Sequence, residues 1–239
     1  MRAIGTTAEL IRVSGGDRLI VWAAQGFGPG VRAWTAGEAI AVAAPNLSKR
    51  DRLSVAGPID HAAGLVRDVL GEVGPSYRPF GDEQLVRELA ERVPGVEFAA
   101  AFGWMDTAEV PEVTTSATWM DGDAGVEELL VEASPASYAW PGHPAVRRWA
   151  ALTGADGELL SIAADAWSAP EVGFLAGVAT KPVARGKGLS RQVCGFVTAE
   201  LVKQHGQAAL MVDRTNDAAI AVYRRLGYTY RSVAAASVG

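Results

Sequence analysis

The sequence predicts an α/β fold built around a mixed β-sheet. Of its 239 residues, 49% are apolar and 21% are charged, which is typical of a globular chain that buries a full core. Strand-like and helix-like segments alternate along the chain, and from residue 146 onward they follow the order β-β-β-α-β-α-β. This length suits one large domain or two small ones, and we expect two domains in tandem.

The first half of the chain predicts three short strands and two amphipathic helices. The strands are expected at Arg18–Ala24, Glu38–Ala44 and Val96–Trp104, because these are short apolar runs. The helices are expected at Asp60–Val73, with Asp60 as the N-cap, and at Asp82–Val93.

The middle of the chain is poorer in regular structure. Thr107–Ser116 lacks periodicity and predicts a linker or an irregular loop. A short helix is expected at Gly125–Ala133, and the three prolines of Ser134–Pro144 predict a surface loop.

The last third gives the clearest pattern. Turn chemistry at Gly154–Gly157 predicts a hairpin, and helical spacing of apolar residues then alternates with short apolar runs. The predicted strands are Val146–Thr153, Glu158–Trp167, Val172–Thr180, Ala208–Asp213 and Tyr228–Val233, and the predicted helices are Leu189–Lys203 and Ala218–Leu226.

Composition argues against several classes of function. The net charge of −5 disfavours nucleic-acid binding, since phosphate contacts require a basic surface. The single cysteine, Cys194, excludes an internal disulfide, and the three histidines lack ligand spacing, so we expect no metal site. No signal peptide and no apolar run of about 18 residues is present, so we expect a cytoplasmic protein without membrane contact.

A candidate phosphate site lies between the strand Val172–Thr180 and the helix that follows it. Arg185, Gly186, Lys187, Gly188, Leu189 and Ser190 form a glycine-containing turn that leads into a helix N-terminus. Such a turn presents free backbone N–H groups and the positive end of the helix dipole, while Arg185 and Lys187 add charge. The P-loop pattern and the dinucleotide fingerprint both fail here, because each requires a glycine that the segment lacks. Taken alone, the segment could equally be a tight βα turn.

A second motif narrows the choice. Asn216, Ala219, Tyr223, Gly227 and Tyr228 follow the spacing N-x-x-A-x-x-x-Y-x-x-x-G-F/Y. Together with Arg185–Ser190, this motif resembles the two signature motifs of the GNAT superfamily of acyl-CoA-dependent N-acyltransferases. The first motif, Q/R-x-x-G-x-G/A, is matched except that Ser190 replaces its last small residue. The resemblance covers about residues 140–235.

The resemblance implies acetyl-CoA as cosubstrate and a mixed-sheet GNAT-like fold. The pyrophosphate of acetyl-CoA would lie on Arg185–Ser190, and the pantetheine arm would pair with the backbone of Val178, Ala179 and Thr180. Asn216 and Ala219 would contact that arm, although Asn216 could equally be only an N-cap. Tyr223 would be the general acid that protonates the leaving thiolate; the alternative is a packing tyrosine.

The general base is less well defined. Asp165 is the first candidate, because burial in an apolar strand would make its carboxylate more basic. An exposed strand-end carboxylate is the alternative. Glu171, Asp106 and Glu112 are further candidates, whereas Cys194 is expected to be a core thiol.

We therefore expect a catalytic domain at residues 131–239 and a degenerate GNAT-like copy, or an unrelated extension, at residues 1–130. The expected activity is direct acetyl transfer to a primary amine on a small molecule or a protein N-terminus. A CoA-binding sensor without turnover and a longer acyl donor are alternatives. A homodimer is one assembly that the sequence leaves open.

Overall fold

The computed structural model describes the whole chain, residues 1–239. The strands, in chain order, are β1 (Arg2–Ile4), β2 (Arg32–Ala36), β3 (Ala39–Leu47), β4 (Arg50–Ala56), β5 (Arg78–Asp82), β6 (Val96–Thr107), β7 (Thr118–Trp119), β8 (Val146–Thr153), β9 (Leu159–Ala166), β10 (Gly173–Thr180), β11 (Ala208–Val212) and β12 (Thr229–Val238). The helices are α1 (Thr7–Val13), α2 (Arg18–Ala23), α3 (Ile59–Val73), α4 (Glu83–Arg92), α5 (Val126–Ala133), α6 (Leu189–His205) and α7 (Asp217–Arg225). No helix combines the length and apolarity that a bilayer crossing requires.

The chain forms two compact units. The N-terminal unit consists of Met1–Trp104, Ala169–Glu171 and Arg231–Gly239, and the C-terminal unit consists of Met105–Ser168 and Val172–Tyr230. The expected assignment of residues 1–130 and 131–239 as degenerate and catalytic domains stays a prediction.

The sheet of the N-terminal unit has the strand order β1-β2-β3-β4-β5-β12. Its neighbouring strands are antiparallel except for β4 and β5, which are parallel and are connected through α3. The buried faces of α3 and α4 pack on this sheet around Leu65, Val66 and Leu89. The N-terminal unit therefore has its own apolar core.

The segment Arg18–Ala24 is helical, so the predicted strand is wrong. Asp17 caps α2 by accepting hydrogen bonds from the backbone N–H groups of Leu19 (2.9 Å) and Ile20 (3.1 Å). Every residue from Leu19 to Ala23 is buried, so the run has no polar face from which a helical period could be recognised. The expected Asp60 cap is also wrong, since Pro58 is the N-cap and Asp60 lies in the first turn of α3.

The C-terminal unit follows the predicted order of elements. Its strands lie in the order β11-β10-β9-β8-β7, and only β10 and β11 are parallel. The helix α6 connects these two strands, and its residues Val193, Val197 and Leu201 are buried in the core of the unit. Residues 108–117 are irregular, as predicted.

One succession of elements occurs twice along the chain. It runs first as β2-β3-β4-α3-β5-α4-β6 and then as β8-β9-β10-α6-β11-α7-β12. In both, the last strand before the first helix of the series is parallel to the strand after it. This agreement supports the expected tandem arrangement.

Candidate active site

The strands β10 and β11 separate soon after they begin. Only Gly173 and Phe174 pair with β11, opposite Ala208 and Ala209, and the rest of β10 has no partner on that side. The backbone from Leu175 to Thr180 is therefore a free strand edge inside the sheet. We call the space between this edge and the end of β11 the slot.

A β-bulge in β10 accompanies the separation. On its other side β10 pairs with β9, and the register shifts between Ala176, opposite Ala164, and Ala179, opposite Ile162. Gly177 and Val178 therefore oppose the single residue Ala163, which bends the strand and increases its twist.

The bulge depends on glycine at its first position. Gly177 has φ +61°, in the left-handed region, and a Cβ placed there would lie 2.6 Å from Cη2 of the buried Trp149. The same Cβ would lie 3.1 Å from the Cβ of Ala139. Trp149 and Ala139 thus pack against the bulge at Gly177. The sequence did not predict this packing for either residue. The signal that could have found the bulge is an isolated glycine inside a strand pattern.

The slot opens at the end of β10 onto the predicted phosphate cradle, Arg185–Ser190. Gly186 (φ +78°) and Gly188 (φ +75°) both adopt left-handed backbone, and no atom lies within 4 Å of a Cβ added to either. Gly188 is the N-cap of α6 and no side chain caps this end, so the first N–H groups of the helix remain available. Arg185 is anchored by hydrogen bonds from its guanidinium to the carbonyls of Thr180 (3.3 Å) and Ala133 (3.2 Å). Together with the exposed Lys187, this arrangement suits an anion.

Ser190, the one departure from the first motif, is accommodated inside α6. It lies in the first turn of the helix, one turn before Cys194. Burial raises the pKa of Cys194 to about 12, which keeps the thiol protonated. Cys194 is fully buried and is unsuited to act as a nucleophile.

The second motif lies on α7. Asn216 is the N-cap, and its Oδ1 accepts a hydrogen bond of 3.1 Å from the N–H of Ala219, so the predicted capping role is confirmed. The amide nitrogen of Asn216 has no partner in the protein and could donate to a ligand carbonyl.

Tyr223 follows two turns later and is 93% enclosed, with a relative exposure of 7%. Burial raises its pKa well above the ordinary value, and the neighbouring Cys194 and Tyr228 act in the same direction. The hydroxyl of Tyr223 has no hydrogen-bond partner. The ring of Tyr228 lies 5.9 Å from that of Tyr223, and the Tyr228 hydroxyl is hydrogen-bonded to Thr198 Oγ1 at 2.9 Å. Tyr223 therefore offers a protonated, unengaged hydroxyl.

Asp165 is buried in β9, as predicted, and is not an exposed strand-end carboxylate, but other side chains engage it. Its carboxylate, 1% exposed, accepts a 2.5 Å hydrogen bond from Ser168 Oγ and lies 3.4 Å from Arg148 Nε. Arg148 also donates to Gln204 in the last turn of α6 at 3.1 Å. The cradle lies at the first turn, and Leu189 to Gln204 spans about 22 Å along the helix axis. These contacts favour a structural role for Asp165, and its role as the base stays a prediction.

The remaining base candidates are dispersed. Glu112 is exposed in the irregular segment, Asp106 lies near the end of β6 in the C-terminal unit, and Glu171 belongs to the N-terminal unit. The helices α6 and α7, which carry the two motifs, are in contact. Of the candidate bases, Asp106 is near enough to Tyr228, the neighbour of Tyr223, to help raise the pKa of that tyrosine.

Residues 154–235 match the family model described as FR47-like protein, a segment that contains both motifs. No curated protein matches the chain in sequence. Among solved structures, a GCN5-related N-acetyltransferase from Kribbella flavida is 20% identical, with coverage of 96% of this chain and 95% of that one and a TM-score of 0.59. A Drosophila protein is 13% identical over 100% and 98%, with a TM-score of 0.62. A GCN5-related N-acetyltransferase from Sphaerobacter thermophilus is 16% identical over 98% and 93%, with a TM-score of 0.55. With these structural neighbours, the chain has the fold of the GCN5-related N-acetyltransferases.

Proposed function

We propose that the protein is an N-acetyltransferase that moves an acetyl group from acetyl-CoA to a primary amine by direct transfer. The observation that carries this proposal is the slot beside the bulged strand β10, which opens directly onto the cradle Arg185–Ser190. Acetyl-CoA would supply an activated acyl thioester, and no covalent enzyme intermediate is needed.

The cradle fits the pyrophosphate of the cosubstrate. The open space at Gly186 and Gly188 admits an anion close to the backbone, and the uncapped N-terminus of α6 favours negative charge. Arg185 and Lys187 add two positive charges, and the first turn of α6 contains no acidic residue that would oppose them.

The free edge of β10 fits the pantetheine arm, whose amides can pair with backbone as an added strand does. Val178, Ala179 and Thr180 offer this edge, and the amide nitrogen of Asn216 offers a donor from α7. Backbone N–H groups at the bulge would also donate to the thioester oxygen as negative charge develops on it.

Tyr223 would hold the proton that the leaving thiolate requires. Its raised pKa keeps the hydroxyl protonated at neutral pH, so it can donate a hydrogen bond to sulfur. Since a thiol is a stronger acid than this phenol, donation of a hydrogen bond contributes more than complete proton transfer.

The amine acceptor stays open and includes small metabolites, amino acids, antibiotic-like amines and protein N-termini. We place the reaction in the cytoplasm, as the sequence predicts.

A screen of amine classes that follows thiol release from acetyl-CoA tests this proposal. At least one class should release thiol in an amine-dependent manner, and the Tyr223→Phe variant should be slower. Propionyl-CoA in a parallel arm tests the acyl chain length. If acetyl-CoA binds tightly and no amine supports release, the function is a CoA-binding sensor instead. The observation that favours this second function is that Ser168 and Arg148 already engage the carboxylate of Asp165, the first candidate base.

A further inference from the structure

The N-terminal unit lacks the slot and the cradle at the place that corresponds to them. There β4 and β5 stay paired from Arg52, opposite Arg78, to Val55, opposite Gly81, so the two strands do not separate. The connection between β4 and α3 is reduced to Gly57 and Pro58, where the C-terminal unit has residues 181–188. This unit therefore has no site of the same kind for CoA.

A cavity of about 300 Å³ nevertheless lies at the carboxyl ends of β4 and β5. This is the edge of a parallel strand pair at which α/β proteins bind ligands. Leu19, Ile20 and Leu85 provide apolar wall, and Asp17, Asp82 and Arg231 provide the charged groups. The volume is at the lower end of the range for small-molecule sites, so the ligand must be small.

Two of the three charged groups neutralise each other. Arg231 binds Asp17 through both terminal nitrogens, at 2.8 and 2.9 Å, and Asp17 also caps α2. An anionic ligand would have to displace Asp17 from the arginine, which would leave a half-buried carboxylate without its cation.

Asp82 is the group that remains. Its Oδ1 caps α4 by accepting from the N–H groups of Gln84 (2.9 Å) and Leu85 (3.3 Å), and its Oδ2 makes no hydrogen bond. The adjacent Glu83 is already held by Arg87 and Ser232. The charged groups that line the cavity thus carry a net charge of −1, and the carboxylate without a cation is that of Asp82, which is exposed.

We propose that this cavity binds a small primary alkylamine, with its ammonium on Asp82 and its alkyl chain against Leu19, Ile20 and Leu85. The ammonium supplies the donor that Asp82 Oδ2 lacks, in a charge-assisted hydrogen bond. The alkyl chain would cover the apolar side chains that line the cavity and shield them from water. A phosphate does not fit, because Asp82 already occupies the first N–H groups of α4. This site is separate from the acetyl-transfer site and does not depend on the proposed function.

Calorimetric titration of the full chain with n-butylamine, and with n-butyrate as the anion of similar size, tests the proposal. The Asp82→Asn variant keeps the capping oxygen and removes the charge. The matched control is Asp68→Asn, which removes an exposed carboxylate from α3. Ala56→Leu narrows the cavity without a charge change, because Ala56 lines it and is partly exposed.

We expect saturable binding of butylamine that weakens about tenfold in Asp82→Asn and in Ala56→Leu. Binding should be unchanged in Asp68→Asn, and butyrate should not bind. Butylamine affinity that is equal in all variants would mean that the amine occupies another site, and would overturn the proposal, as would absent binding or equal binding of butyrate. Thermal melting establishes that the variants are folded, and Ala56→Leu carries the test if the loss of the Asp82 charge destabilises α4.

Discussion

Replacement of Gly177 by alanine tests whether the bulge of β10 shapes the slot. Gly177 has φ +61°, and its missing Cβ would lie 2.6 and 2.7 Å from two ring atoms of Trp149. Alanine must therefore either push the buried indole away or flatten the bulge. Flattening would bring Gly177 and Val178 back into regular register with β9 and would narrow the slot.

The magnitude follows from these two effects. Left-handed backbone costs a non-glycine residue about 1–2 kcal/mol. Overpacking against a buried side chain costs about 1–3 kcal/mol more. We therefore expect Gly177→Ala to lower the free energy of unfolding by about 2–5 kcal/mol.

Urea denaturation measures this loss, and Gly157→Ala is the matched control. Gly157 lies in the hairpin turn between β8 and β9, has φ +81° and has no atom within 4 Å of an added Cβ. Its substitution should cost only the backbone strain, about 1–2 kcal/mol, and leave acetyl-CoA binding unchanged. In Gly177→Ala the dissociation constant for acetyl-CoA, measured by calorimetry on folded protein, should rise at least about tenfold. Equal stability of the two variants, or wild-type affinity in Gly177→Ala, would refute the reasoning.

Three further predictions concern buried polar groups. Tyr223→Phe should lower kcat by at least about tenfold with a smaller change in acetyl-CoA affinity, and equal kcat values would remove Tyr223 as the proton donor. Asp165→Asn should lower the free energy of unfolding, measured in urea, by about 1–3 kcal/mol, because the contacts of Asp165 are structural. The folded variant should keep its kcat. Loss of the acidic limb of the pH–kcat profile in this variant would instead make Asp165 the base. Burial raises the pKa of Cys194 from its unfolded value of 9.0 to about 12. Between these two pKa values the unfolded thiol loses its proton and the folded thiol keeps it. The free energy of unfolding therefore falls as pH rises, by about 1.4 kcal/mol per pH unit for this group. Urea titrations between pH 9 and 11 should show a shallower fall in Cys194→Ala, and parallel curves would contradict the assignment.

The order of elements in the last third of the chain was predictable because its periods are distinct. The β8–β9 hairpin, α6 and α7 have turn or capping residues at their ends, and the structure confirms all of them. The helix α2 was not predictable by the same means, since every residue from Leu19 to Ala23 is apolar and faces protein. A short run without a polar face carries no period, and the cap provided by Asp17 decided its conformation.

The sequence predicted the parts of the candidate site that are formed by local backbone structure. The glycines of Arg185–Ser190 and the cap at Asn216 are local features with fixed spacing in the chain. The separation of β10 from β11 depends on pairing between distant residues, and the support of Gly177 by Trp149 depends on packing between strands. The ion pair of Asp165 with Arg148 has the same origin, since the pairing of β8 with β9 places these two residues opposite each other. Such contacts have no signature in the order of residues alone.

The central claim is that the slot and cradle of the C-terminal unit bind acetyl-CoA. Its most direct test is a calorimetric titration of acetyl-CoA into the full chain and into the Arg185→Glu variant. We predict one molecule bound per chain, because only β10 and β11 separate, and affinity at least about tenfold weaker when the cradle charge is reversed. Absence of binding at millimolar acetyl-CoA, or affinity that Arg185→Glu leaves unchanged, would contradict the account.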